Sequence, residues 1–218
     1  MSRCREKTVS VTGGFFLLVS WFALENGWKL LLTILSAAAL HELGHFLVLR
    51  YFGVSVSAFR MTAFGAEMRL ESSRLSYGRE LAAVLAGPAV NFLCGLAAAL
   101  AARHFRWPEL YLLAGAHLIL CWFNLLPVRP LDGGRALEIL FVWSRGPAEG
   151  ELLCRIVGTA SALLLCVWLF WLMRESRGSL WLLPAAGCLL FAALRESGVA
   201  GYQQNACAST QKRRFFRK

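Results

Sequence analysis

A chain of 218 residues that is 57% hydrophobic and only 17% charged, with a mean hydropathy of +0.54, is too apolar for an ordinary soluble domain and reads as an integral membrane protein. Its net charge of +10 would suit a nucleic-acid partner, but the basic residues sort by side of the membrane, which accounts for them and excludes that class. Seven cysteines, none in a CxxC pair, exclude a disulfide framework.

A hydrocarbon core of about 30 Å needs roughly 20 apolar residues per helix. Six runs approach or reach that length: Val11 to Leu24, Trp28 to Tyr51, Glu80 to Ala102, Glu109 to Pro127, Leu152 to Met173, and Ser179 to Leu194. The first is short but is read as a retained helix, because no small-residue cleavage site precedes Trp28. Between the second and third runs, "VSVSAFRMTAFGAEMRL" (Val54 to Leu70) alternates in part and breaks at Phe64-Gly65-Ala66, the pattern of strand, turn and strand. An exposed strand edge there would bind an extended peptide, and an irregular interfacial loop is the alternative. The expected class is therefore all-α and integral to the membrane, with about six transmembrane helices and a short membrane-associated β-hairpin between helices 2 and 3. Residues 1–198 form one membrane domain, and residues 199–218 a basic cytoplasmic tail. With both termini cytoplasmic, 18 of the 23 Lys and Arg residues fall inside, as positive charge does in membrane proteins. The tail "QKRRFFRK" then meets anionic headgroups of the lipid bilayer.

Polar clusters interrupt three of these runs. In His41-Glu42-Leu43-Gly44-His45 the histidines are four residues apart, which puts both rings on one helix face where they can chelate one ion. Zinc suits imidazole, and a catalytic zinc takes three protein ligands. Glu42, about 100° around the helix, can reach a water beside the metal as general base. Histidines that merely hydrogen-bond in a bundle core are the competing reading. It is weakened because ionisable groups at membrane depth are costly and functional by default. The third run carries "AGPAVN", whose Gly87, Pro88 and Asn91 by themselves signal close helix packing. The fourth ends in "NLLPVRPLDGG", where Pro127 and Pro130 bar a continuous helix and Gly133-Gly134 permit close approach. Asp132 is the candidate third ligand there, or an N-cap on "GRALEILFVW", and the two roles are compatible. Asn124 would donate to a substrate carbonyl or its oxyanion, or bond across helices. His117 reads as a satisfied bundle histidine and not a fourth ligand.

HELGH, then GPxxN, then NLLPxxPLDGG, in that order over about two-thirds of the chain, resembles the site-2 protease family of intramembrane zinc metalloproteases. The resemblance implies one zinc on His41, His45 and Asp132, with Glu42 catalytic and Asn124 and Asn91 lining the active-site region. It implies that Phe64-Gly65 belongs to a substrate-binding hairpin. Small size and six spans resemble the branch containing the stage IV sporulation protein FB of spore-forming bacteria. That implies a bacterial cytoplasmic membrane, a membrane-tethered protein substrate such as a pro-sigma factor, and regulatory membrane proteins as partners. No nucleotide-sensing domain or PDZ insertion is visible in the sequence. A non-catalytic metal-binding or transport protein is the rival class, and Glu42→Gln separates the two.

Overall fold

Gly27, with φ at +79°, closes one helix and opens the next, a backbone geometry that costs glycine little. The helices on either side are α1 (Gly13–Asn26) and α2 (Trp28–Tyr51). In the computed structural model, residues 8–62, 65–70, 75–128 and 131–175 are described. They fall into two compact units, one ending at Leu125 and the other beginning at Leu126.

In the first unit α2 ends where Gly53 turns at φ +76° and Val54 N–H donates back to the Leu49 carbonyl at 3.0 Å. Leu49, Val54 and Ala83 bury together at this turn. The segment after it forms β2 (Val56–Thr62) and β3 (Gly65–Leu70), antiparallel with Thr62 opposite Gly65. A short strand before α1, β1 (Thr8–Val11), pairs with β2 in parallel, Thr8 opposite Ala58, so the sheet order is β1-β2-β3. The strand β1 is an addition to the expected pattern of helices with a hairpin between the second and third. It ties the start of α1 to the loop after α2, so both lie on one side of the helical hairpin between them.

Two further helices complete this unit: α3 (Tyr77–Phe105), which contains Pro88, and α4 (Pro108–Asn124). Small residues let them cross closely. A Cβ on Gly44 would lie 2.8 Å from the Ala86 carbonyl oxygen, and one on Gly95 would lie 2.9 Å from Leu118 Cγ. Without a hydrophobic force between helices in lipid, such close packing is what holds spans together. Outward positions are apolar instead: Leu47, Leu93, Leu100, Ile119 and Trp122 are all exposed.

The second unit comprises α5 (Asp132–Arg145) and α6 (Pro147–Glu175), joined at Gly146. Gly150 meets the α5 backbone so closely that a Cβ there would lie 2.7 Å from the Val142 Cα. Cys154 Sγ–H donates to the Gly134 carbonyl at 3.6 Å, and Val128, Leu131 and Ala162 form the buried cluster.

Three described helices are long and apolar enough to span a bilayer: Trp28–Tyr51, Tyr77–Phe105 and Pro147–Trp168. The first run is a helix of 14 residues and the fourth one of 17. The fourth stops at Asn124, short of the expected Pro127, because proline lacks an N–H and disfavours helical backbone in the residue before it. The fifth begins earlier than expected, at Pro147, where a missing N–H is harmless in a first turn. The sixth run, the tail and Phe64 lie outside the described residues.

Candidate metal centre

Helical periodicity brings His41 and His45 onto one face of α2, and their Nε2 atoms converge to 3.1 Å. The rings meet edge to face, with centroids 4.8 Å apart. His41 is buried, while Glu42 and His45 are partly buried. Each ring is held from behind. His45 Nδ1–H donates to the Ala83 carbonyl of α3 at 2.8 Å, which leaves the Nε2 lone pair pointing into the site. Pro88, with no N–H, leaves the Val84 carbonyl, next to Ala83, without its usual helical donor. His41 Nδ1 contacts the Asn91 amide at 3.2 Å, and that amide contacts His117 Nδ1 at 3.0 Å. Asn91 and His117 are both buried, at 0% and 1% exposure, which in a membrane demands that their polar atoms find partners.

The donor set fits a zinc ion. Two imidazoles converge, that of His45 in the tautomer that ligates through Nε2, and the wall facing them is the bare Cα of Gly87. A Cβ at that position would sit 2.8 Å from His41 Nε2 and 2.7 Å from His45 Cε1, filling the space in front of both rings. The glycine of "AGPAVN" therefore lines the candidate metal site as well as making a helix contact, which sequence alone did not indicate.

In the second unit Asp132 is the first residue of α5, partly buried, with Leu131 as its N-cap and Gly133 and Gly134 buried behind it. Asn124 closes α4, its Nδ2 donating to the Leu120 carbonyl at 3.0 Å. Gly65 begins β3. Sequence reasoning treated Asn91 and His117 separately. The fold joins them behind His41, 50 residues from Asn91, a distance along the chain that no local pattern spans.

Residues 29–106, which hold HELGH and GPAVN, match the description of Peptidase family M50. A zinc metalloprotease of Methanocaldococcus jannaschii is 29% identical over 63% of this chain and 42% of its own length. Stage IV sporulation protein FB of Bacillus subtilis is 29% identical over 58% of this chain and 46% of its own. The chain thus spans less than half the length of these relatives. The solved site-2 protease of Methanocaldococcus jannaschii superposes with a TM-score of 0.66 over 90% of this chain and 94% of that one. At 23% identity, that likeness establishes a shared fold.

Proposed function

We propose that the chain is a member of Peptidase family M50, whose description residues 29–106 match, and that it hydrolyses a peptide bond in or beside the membrane-embedded segment of a protein substrate. The observation that carries this reading is the pair of imidazole Nε2 atoms 3.1 Å apart on a membrane-length helix, with a carboxylate one residue from the first.

In this reading His41 and His45 hold the zinc and Asp132 brings the third ligand from the start of α5. When bound, zinc supplies Lewis acidity to the scissile carbonyl and to the attacking water. Glu42 takes the proton from that water as its oxygen attacks the carbonyl carbon. It then delivers the proton to the leaving nitrogen as the C–N bond breaks. Asn124 donates to the oxygen on which charge develops. A helical substrate has its carbonyls tied up in i to i−4 bonds, so it must unwind before attack. The edge of β3, which begins at Gly65, receives the unwound strand.

Similarity to the sporulation protein supports a bacterial cytoplasmic membrane as the location, and a membrane-tethered transcription-factor precursor, such as a pro-sigma factor, as the substrate. Six spans with both termini cytoplasmic, and control by regulatory membrane proteins, complete the proposal. The pairing of β1 with β2 supports it by holding the N-terminal segment and the Val54 to Leu70 loop in one compartment.

Co-expression with tethered precursors tests the reading. The wild-type chain should release a soluble fragment, and the Glu42→Gln variant should bind zinc and release none. Release by both would assign the cleavage to another enzyme. Release by neither, with metal uptake unchanged, would favour a non-catalytic metal-binding or transport protein.

A further inference from the structure

Four hydrogen bonds run in line through the first unit: Ala83 carbonyl to His45 at 2.8 Å, His45 to His41 at 3.1 Å, His41 to Asn91 at 3.2 Å, and Asn91 to His117 at 3.0 Å. A carbonyl only accepts, so His45 carries its proton on Nδ1 and turns the Nε2 lone pair toward His41. The His45–His41 hydrogen bond therefore runs only from His41 Nε2–H to His45 Nε2, whereas the two links through Asn91 run in either direction, because imidazole and carboxamide each offer both a donor and an acceptor.

In the structure the Asn91 amide turns Nδ2 toward His41 and Oδ1 toward His117. An amide N–H donates, so in this polarity His41 accepts at Nδ1, keeps its proton on Nε2 and donates it to His45. Each link is satisfied, but that His41 nitrogen is closed to a metal. Ligation requires the opposite polarity. His41 must carry its proton on Nδ1 and donate it to Asn91 Oδ1, with the carboxamide turned by about 180° on its Cβ–Cγ bond. Asn91 Nδ2–H then points at His117, which has to receive it on a bare Nδ1.

We propose that His117 is a positioning residue for the metal centre: its Nδ1 is the acceptor that holds the Asn91 amide in the orientation in which His41 binds zinc. This rests on the reading of His41 as a ligand. Leucine at position 117 would leave Asn91 Nδ2–H buried and unpaired in the ligating polarity and Asn91 Oδ1 without its donor in the other, and an orphaned buried N–H is the less tolerated of the two. Removing a buried partner in that way costs the full desolvation of the orphaned group, and the loss falls on metal binding. Bare Gly95, one helical turn beyond Asn91, gives α4 its close approach: a Cβ there would lie 3.3 Å from the His117 Cβ. A histidine provides the reversal without a change of charge, since its two tautomers supply a donor for one polarity and an acceptor for the other.

The test measures zinc affinity of the full chain in detergent by competition with a chromophoric chelator, and records the visible spectrum of the cobalt-substituted protein. Four variants are compared: His117→Leu, His117→Gln, Asn91→Asp, and Asn91→Asp combined with His117→Leu. His117→Leu should weaken zinc by roughly 10–100-fold, the usual effect of losing a partner behind a ligating histidine, with an altered cobalt spectrum. His117→Gln, whose amide oxygen accepts, should recover most of that affinity. A carboxylate at position 91 accepts from His41 with no help from position 117. In the Asn91→Asp background, His117→Leu should therefore change affinity less than about threefold, a small fraction of the roughly 10–100-fold loss. Unchanged affinity in His117→Leu overturns the proposal. So does an equal loss in both backgrounds, or a loss in His117→Gln as large as in His117→Leu, either of which would mark a packing role. A His41→Ala variant that binds zinc normally would instead remove the ligand reading beneath it.

Discussion

Gly87→Ala adds one methyl group in front of the two candidate ligands. Its carbon would stand 2.8 Å from His41 Nε2 and 2.7 Å from His45 Cε1, and closer still to His45 Nε2. Non-bonded heavy atoms settle at about 3.5–4.0 Å, so the His41 ring must retreat by at least about 0.7 Å and the His45 ring by more. Zinc–nitrogen bonds of about 2.0–2.1 Å tolerate deviations of about 0.2 Å, so both rings cannot retreat and still share the ion. Overpacking typically costs about 1–3 kcal/mol, and each 1.4 kcal/mol is about a factor of ten in affinity. The expected result is a loss of zinc affinity of about tenfold or more, measured by chelator competition on detergent-solubilised protein. Thermal unfolding of the same samples would show that the helices remain assembled. Stoichiometric zinc at wild-type affinity in a folded Gly87→Ala protein would refute the placement of this glycine against the ligand nitrogens.

Gly115→Ala is the matched control, since nothing lies within 4 Å of a Cβ there; its thermal midpoint should hold or rise, and a fall would contradict the open space read for α4. Asp132→Ala should lower zinc affinity by at least the roughly 10–100-fold attached to outer partners, and wild-type affinity in the same chelator assay would dismiss it as a ligand. Glu42→Gln should leave affinity intact and slow cleavage by about 10²–10⁴-fold, the range of a general base; a cleavage rate within a factor of a few of wild type would reassign the proton transfer. Proline placed at Glu67 and then at Met68 in β3 removes an N–H facing β2 in one case and one on the open edge in the other. Substrate cleavage should fail in the edge variant with zinc retained, and normal cleavage in both would argue against strand addition.

Much of the site is local and therefore legible in the chain. The i, i+4 spacing of His41 and His45 follows from helix geometry, and apolar length marks the helix that carries them: the observed α2 has the expected ends, Trp28 and Tyr51. Proline and glycine announce the break after Asn124 and the start of α5, because what they forbid or permit is a property of single residues. Other features depend on contacts between distant segments. β1 is only the four residues Thr8–Val11, too short to signal a strand until β2 lies beside it. Gly87 reads as a packing glycine until α2 faces it with two imidazoles. Asn91 becomes a partner of His41, and His117 a partner of Asn91, only once α3 and α4 have packed beside α2. Residue types and spacing along α2 thus determined which candidate site the chain presents, since one helical turn places those groups. Helix packing decided which buried polar atoms face one another, and with that which groups stand behind the candidate ligands, because hydrogen-bond partners are assigned in space and not along the chain.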